Sequence, residues 1–197
     1  MTDKKKIGPW RVESETIVYD NPWIKVVDHK VLHPNGAPGQ YGVVQFKNLA
    51  IGILAIDEDG FVPLVGQHRF PHDAYSWEVP EGGGPLADDP LASAKRELAE
   101  ETGFTASHWL EIASFDLSNS VTDEKSVCYL AWGLTSGEAR PEASEEFSYD
   151  RLRFSALYDR VMAGEIRDSL TIMMVLKVLA MKNDGRLPSE AANLLSS

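Results

Sequence analysis

The sequence predicts a mixed α/β protein, and three features support this class. Short apolar, strand-like segments separated by turn residues fill most of the first eighty positions. One helix with clear start and stop signals follows at residues 89–103. Two further strand-like runs and two helix-like runs come after it. No internal repeat or low-complexity segment interrupts this pattern.

The first half of the chain reads as a series of strands. Residues 7–32 predict two strands broken at Asp20-Asn21-Pro22, and a third strand is expected at 41–46 after a turn at 34–36. The run 49–56 is nearly all apolar, which suits a strand buried on both faces. A hairpin turn at 57–60 is expected to lead into a returning strand at 61–67, and 75–79 predicts another strand.

The helix at 89–103 has signals at both ends. Asp89 is a good N-cap, Pro90 suits the first helical position, and Gly103 suits the position after the last turn. Ala, Leu, Lys, Arg and Glu, all good helix formers, fill its interior. The residues expected to face the core are Leu91, Ala94 and Leu98.

Three glutamates on this helix are candidates for chemistry. Glu97, Glu100 and Glu101 are spaced i, i+3 and i, i+4 and share one face. Like charges at this spacing repel, so the helix does not need them for stability. A glutamate-rich helix taken alone is usually a solvated face. Mg²⁺ or Mn²⁺, which prefer carboxylate and water oxygens, would turn the repulsion into ligation.

The second half alternates strands, an acidic loop and helices. Strands are expected at 109–117 and 125–134, an acidic loop at 138–150, and a short helix at 155–163 closed by Gly164. Asp168 is expected to cap the last helix. The predicted apolar stripe of that helix comprises Ile172, Val175, Leu176 and Leu179.

Composition excludes some classes of function. A net charge of −11 argues against nucleic acid, which needs a basic surface, but not against a nucleotide held through metal. Cys128 is the single cysteine and is expected to be a small buried residue. No apolar run approaches eighteen residues, and no signal-like segment follows the basic N-terminus. A soluble cytoplasmic protein without membrane contact is expected.

The region 82–104 resembles the signature of the Nudix hydrolases. Asp88 departs from it, since the family usually has Glu there, and the charge is kept with one methylene fewer. Agreement at this many spaced positions is specific, unlike a single glycine motif. The matching residues are Gly82, Arg96, Glu97, Leu98, Glu100, Glu101, Gly103 and Phe104.

This resemblance implies a fold and a metal site. The fold would be an α/β/α sandwich around a mixed sheet. Glu97 and Glu101 would be the main metal ligands, with Glu100 binding directly or through water. The backbone carbonyl of Glu81 would be a further ligand.

Arg96 has a different implied role. It would orient the glutamates through a salt bridge rather than contact substrate, and Asp88 would be its partner.

The sequence before the signature resembles the ADP-ribose and nucleoside-diphosphate-sugar pyrophosphatase branch of this family. Residues 1–47 would form a small antiparallel β lobe, 48–185 the catalytic domain and 186–197 a tail. In that branch the lobe mediates homodimerisation. Trp23 and Tyr41 would stack on the substrate base, or else pack within the lobe sheet. Arg69, in the segment VGQHRF, would contact the substrate phosphates; otherwise it is a surface arginine.

The acidic loop is the second candidate region. By resemblance Glu145 would be a metal ligand, and Glu142 or Glu146 would be the general base. Without the resemblance, each is equally well read as part of a solvated loop. The segment 117–122 also lacks the proline typical of ADP-ribose-preferring members, which weakens that substrate in particular.

The expected reaction is hydrolysis of the pyrophosphate bond of a nucleoside diphosphate sugar. Two or three Mg²⁺ ions would take part, and the products would be a nucleoside monophosphate and a sugar phosphate. Two alternatives stay open. One is a pyrophosphatase acting on another nucleotide, such as GDP-mannose or a dinucleoside polyphosphate. The other is a non-catalytic ligand sensor of the same fold.

Overall fold

A computed structural model describes residues 5–139 and 148–195. The chain divides into two units. The N-terminal unit consists of Met1–Leu49 with Asp116–Lys125, and the larger unit consists of Ala50–Phe115 with Ser126–Ser197.

The N-terminal unit is built on a four-stranded antiparallel sheet. Its strands lie in chain order and are β1 (Lys6–Ile7), β2 (Trp10–Asp20), β3 (Ile24–Leu32) and β4 (Pro38–Phe46). The predicted break between β2 and β3 forms because Asn21 Oδ1 accepts hydrogen bonds from the backbone N–H groups of Trp23 and Ile24, at 2.9 and 2.7 Å. The small antiparallel lobe predicted from the sequence is therefore present.

A later segment of the chain returns to this sheet. The N–H of Val44 donates to the carbonyl of Val121 at 2.9 Å, and the N–H of Phe46 donates to Asp123 Oδ1 at 2.8 Å. The lobe predicted at residues 1–47 does not include Asp116–Lys125, which belongs to the same unit in the structure. No local sequence pattern indicates a pairing between segments so far apart.

Two sheets form the framework of the larger unit. One has the order β8-β5-β10-β9 with β5 parallel to β10, and the other is antiparallel with the order β11-β6-β7. The strands are β5 (Asn48–Ile56), β6 (Phe61–Arg69), β7 (Ala74–Glu78), β8 (Glu81–Pro85), β9 (Phe104–Asp116), β10 (Lys125–Ser136) and β11 (Ser148–Arg153).

The hairpin expected between β5 and β6 is not formed. The predicted turn exists, with the N–H of Asp57 donating to the carbonyl of Phe61 at 3.0 Å. The two strands, however, belong to different sheets. Both are rich in apolar residues, and an apolar run does not specify which strand will be its neighbour.

Helices cover the sheets of the larger unit and complete its core. Asp89 caps the signature helix by accepting from the N–H of Leu91 at 3.1 Å, and Gly103 ends it with φ 74°, both as predicted. The helices are α1 (Pro90–Thr102), α2 (Phe154–Met162), α3 (Ser169–Asn183) and α4 (Ser189–Leu194). Fully buried core residues from strands and helices include Leu54, Leu64, Leu130, Leu157, Met174 and Val178.

The C-terminal helices differ from expectation in two ways. Leu176 in α3 is 41% exposed, whereas Thr171 and Met174 are fully buried, so the buried face is rotated from the predicted stripe. The segment predicted as a tail contains α4, and Ala191 and Leu195 belong to the core. A six-residue helix is too short to show a clear apolar period.

The mixed α/β class predicted from the sequence is confirmed. Cys128 is buried as expected, and burial raises the pKa of its thiol to about 11. Within residues 5–139 and 148–195, no helix is long and apolar enough to cross a membrane. The cytoplasmic location stays a prediction.

Candidate active site

The glycines of β8 allow α1 to pack closely against this strand. A Cβ atom on Gly82 would lie 2.2 Å from the carboxyl carbon of Glu97, and one on Gly84 would lie 2.9 Å from Ser93 Oγ. Gly82 and Gly84 are on the same side of the strand, and Ser93 and Glu97 are one turn apart on the helix. The first glycine of the signature is therefore needed to make room for a glutamate.

Two signature glutamates are buried against this strand. Glu97 and Glu101 are each 8% exposed, although carboxylates are rarely buried without partners. Oε2 of Glu101 accepts a hydrogen bond from the backbone N–H of Glu81 at 3.1 Å. The side chain of Glu100 is more open to solvent, at 35% exposure. The predicted pair of main ligands thus lies beside residues 81 and 82.

Arg96 holds the helix carboxylates and the strand together. Its Nη2 donates to Glu97 Oε1 at 2.6 Å and to the carbonyl of Gly83 at 2.9 Å, and its Nη1 donates to Glu100 Oε2 at 2.7 Å. Burial alone would lower the pKa of Arg96, but the Glu97 and Glu100 carboxylates raise it above the ordinary value. Arg96 is therefore a charged, oriented cation.

The predicted bridge from Arg96 to Asp88 is wrong. Asp88 is exposed in the turn after β8, where its N–H donates to the carbonyl of Pro85. Glu97 and Glu100 on the same helix are the carboxylate partners of Arg96.

Arg69, at the end of β6, is paired with two glutamates. Its Nε donates to Glu78 Oε1 at 2.9 Å, and its Nη2 donates to Glu81 Oε1 at 2.5 Å and also to Glu78 Oε2. The Glu78 side chain is 3% exposed, whereas that of Arg69 is 36% exposed. Arg69 is thus a half-buried cation with a fixed fork, and the reading as a free surface arginine does not hold.

Asp168 places a third carboxylate near those of Glu78 and Glu81. One oxygen each of Glu78, Glu81 and Asp168 lies within 4.8 Å of the others. Asp168 caps α3 by accepting from the N–H of Thr171 at 2.6 Å. Oε2 of Glu81 is buried and has no hydrogen-bond partner among the residues that the structure describes. Burial, followed by the charge of Asp168, raises the pKa of Glu81 well above its usual range.

The residues around Glu81 suit a divalent cation. Glu81 joins two sets of carboxylates: its N–H holds Glu101, and its side chain lies with Glu78 and Asp168. Hard carboxylate and carbonyl oxygens are the donors that Mg²⁺ and Mn²⁺ prefer. Glu97 approaches Gly82 where a side chain would not fit, and it brings a further carboxylate to this strand. Glu78 and Asp168 were not predicted as site residues from the sequence. Asp168 was interpreted there only as a helix cap.

Not all of the predicted site residues belong to the described part of the larger unit. Trp23 and Tyr41 belong to the N-terminal unit, where Trp23 is 65% exposed. Tyr41 is engaged within that unit: its hydroxyl donates to the carbonyl of Ser120 at 2.5 Å, and its ring packs edge-on against Trp10 at 5.7 Å between centroids. The predicted loop residues Glu142, Glu145 and Glu146 lie outside the described residues.

Comparison with known proteins defines the class. The NUDIX domain model matches residues 46–163. An ADP-ribose pyrophosphatase of Mycobacterium tuberculosis is 36% identical over 135 residues, which cover 66% of this chain and 65% of that protein. An ADP-ribose pyrophosphatase of Bacillus subtilis is 33% identical over 125 residues, which cover 62% of this chain and 67% of that protein.

The whole fold is also found in a solved structure. A crystal structure of an ADP compounds hydrolase superposes with a TM-score of 0.81 at 18% identity, covering 93% of this chain and 100% of that one. At this identity the likeness concerns the fold, and it agrees with the predicted Nudix architecture.

The chain belongs to the Nudix family. Within that family it carries, at residues 10–44, the domain described as the nucleoside diphosphate sugar hydrolase N-terminal domain. The resemblance derived from residues 82–104 and from the N-terminal strands is confirmed at this level.

The fit between Gly82 and Glu97 gives a first prediction. Gly82→Ala is expected to displace the Glu97 carboxylate and weaken Mn²⁺ binding by about 10-fold or more, because a misplaced ligand costs that order of affinity. Mn²⁺ titration followed by electron paramagnetic resonance measures this. Gly42→Ala in β4 is the matched control, because a Cβ there meets nothing within 4 Å. Equal affinities of the two variants would contradict the assigned role of Gly82.

Proposed function

We propose that this protein hydrolyses the pyrophosphate bond of a nucleoside diphosphate sugar resembling ADP-ribose, in a metal-dependent reaction. The products would be a nucleoside monophosphate and a sugar phosphate. The observation that carries this proposal is the burial of Glu97 and Glu101 beside the backbone of Glu81 and Gly82, in a chain that also has the nucleoside diphosphate sugar hydrolase N-terminal domain.

The metal would be Mg²⁺, or Mn²⁺, in two or three ions. Glu97, Glu101 and the carbonyl of Glu81 would hold it, with Glu100 and Glu145 as further ligands. Bound there, a divalent cation would supply charge neutralisation of the diphosphate and polarisation of the attacking water.

The chain's own residues orient the reactants. Arg96 fixes Glu97 and Glu100 by hydrogen bonds, which supports a positioning role rather than a substrate contact. Nε and Nη2 of Arg69 donate hydrogen bonds to Glu78 and Glu81. Its Nη1 makes no hydrogen bond to any of the described residues. We propose that this Nη1 contacts a substrate phosphate, for which a planar fork is well suited. The general base would be Glu142 or Glu146.

The N-terminal unit would bind the base and form a homodimer. Trp23, with 65% exposure, offers an aromatic face for stacking, and Tyr41, at 37%, offers a smaller one. Ile17, Val18 and Tyr19 of β2 are each more than half exposed, which supports a partner surface on this unit. Sedimentation velocity tests the dimer, and a protomer mass at micromolar concentration would rule it out.

Another nucleotide substrate is the second candidate. The segment 117–122, which lacks the proline typical of ADP-ribose-preferring relatives, favours a different base or sugar. Cleavage of GDP-mannose or of a dinucleoside polyphosphate would use the same carboxylates, since the bond that is broken is the same.

A substrate panel tests the proposed function. ADP-ribose, ADP-glucose, UDP-glucose, GDP-mannose and diadenosine polyphosphates are each incubated with the protein and Mg²⁺, and added phosphatase releases phosphate from the monoester products. The proposal predicts the highest kcat/KM for ADP-ribose or a nucleoside diphosphate sugar resembling it, such as ADP-glucose. A preference for GDP-mannose or a dinucleoside polyphosphate selects the second candidate. A chain that cleaves none of them, with or without Mn²⁺, would be a ligand sensor.

A further inference from the structure

The start of α3 is hydrogen-bonded to the strand end that leads into the signature. The backbone N–H of Val79 donates to Thr171 Oγ1 at 3.0 Å, and both residues are fully buried. Thr171 is itself fixed, because its own N–H donates to Asp168 Oδ2 at 2.6 Å. A threonine in the first turn of α3 therefore serves as the acceptor for a buried backbone group that would otherwise be unsatisfied.

Three consecutive residues at this strand end are each tied to a different element. Val79 is bonded to α3 through Thr171, and the carbonyl of Pro80 accepts from the N–H of Ile53 in β5 at 2.9 Å. Glu81 is bonded to α1, through its N–H and Glu101 Oε2, at 3.1 Å. The position of the Glu81 peptide, and with it the direction of its N–H, therefore depends on how Val79 and Pro80 are held.

We infer that Thr171 is a positioning residue for the metal site. It would hold the 79–81 segment in the position where the Glu81 N–H donates to the Glu101 carboxylate and the Glu81 carbonyl would be available as a ligand. This inference rests on the proposed function and assigns it a residue outside the signature. It would act through the backbone of Val79 and Pro80, so the role assigned to Thr171 is one of positioning.

The hydroxyl, rather than the size of the side chain, is what this role requires. Thr171→Val keeps the shape but removes the acceptor, so the Val79 N–H must move to find another partner. Thr171→Ser keeps the acceptor and loses a methyl group. Val178→Ala is a control on the same helix, since Val178 is fully buried and its side chain belongs to the core of the larger unit.

Mn²⁺ binding to the full-length chain, followed by electron paramagnetic resonance, gives a readout that needs no substrate. Thr171→Val is expected to weaken Mn²⁺ binding by about 10-fold, the scale seen when support of a metal ligand is lost. Thr171→Ser is expected to stay within about 3-fold of the wild type, because its hydroxyl still accepts the Val79 N–H. Val178→Ala is expected to lower the thermal midpoint while leaving Mn²⁺ affinity unchanged.

The outcomes separate this inference from the proposed function. Wild-type affinity in Thr171→Val, loss of affinity in Thr171→Ser as large as in Thr171→Val, or an equal loss in Val178→Ala would each overturn it. A wild type that binds Mn²⁺ but cleaves no nucleotide removes the proposed function, while the comparison of variants still decides the role of Thr171. A wild type that binds no Mn²⁺ overturns both.

Discussion

Glu101→Gln is expected to lower the hydrolysis rate by about a thousandfold or more. Charge stabilisation by a bound metal lowers an activation free energy by several kcal/mol, and each 1.4 kcal/mol changes the rate about tenfold. The substitution keeps the size of the side chain and removes the anionic oxygen that accepts the Glu81 N–H. Initial rates on the best substrate at saturating Mg²⁺ measure the loss. Glu97→Gln is expected to behave alike, since Glu97 is equally buried beside Gly82.

The matched control is Glu111→Gln in β9. Glu111 is exposed and belongs to the same unit, so its substitution removes one negative charge without touching α1 or β8. Its rate should stay near that of the wild type. Near-normal activity in Glu101→Gln, or an equal loss in Glu111→Gln, would remove Glu101 from the site.

Arg69→Ala is expected to reduce both stability and activity. The substitution leaves Glu78, with a side chain 3% exposed, without its cation. Removing one partner of a buried pair costs about 3–5 kcal/mol, and the lower end applies because Arg69 is partly exposed. For a chain of this size about 3 kcal/mol corresponds to a fall of roughly 6–12 °C in the thermal midpoint. Scanning calorimetry measures the fall.

Two further variants separate the causes. Arg69→Ala with Glu78→Gln should recover part of the lost stability, because the more buried of the two carboxylates paired with Arg69 is then neutral, but it should not recover kcat/KM. Arg69→Lys should keep a charge without the fork and fall between the wild type and Arg69→Ala in stability. Recovery of full activity in the double variant would show that Arg69 contributes stability and no phosphate contact.

Local signals made α1 and its chemistry predictable. Asp89, Pro90 and Gly103 act within a few residues of where they stand, so the helix bounds follow from chain order. Glu97 and Glu101 are one turn apart, and helix geometry alone puts them on one face. Gly82 could be recognised from the sequence only as a position in the signature. The physical reason for a glycine there is its closeness to Glu97, which depends on the packing of β8 on α1.

Contacts between distant segments could not be predicted in the same way. Asp168 and Thr171 read as an ordinary helix start, and nothing near them in the chain indicates Glu81 or Val79 as neighbours. The salt-bridge partner of Arg96 was also not predictable. The family resemblance indicated Asp88, whereas Glu97 and Glu100 on the same helix are the partners in the structure. Pairing of β5 with β10 rather than β6 likewise depends on the whole sheet.

The buried glutamates on α1 are proposed to support metal-dependent hydrolysis of a diphosphate bond. Chromatography of ADP-ribose incubated with the protein tests this proposal, in wild type and in Glu101→Gln, with Mg²⁺ and with excess chelator. Equal amounts of AMP and ribose 5-phosphate are expected from the wild type with Mg²⁺, and almost none in the other three conditions. Product formation that survives both the chelator and Glu101→Gln would contradict it.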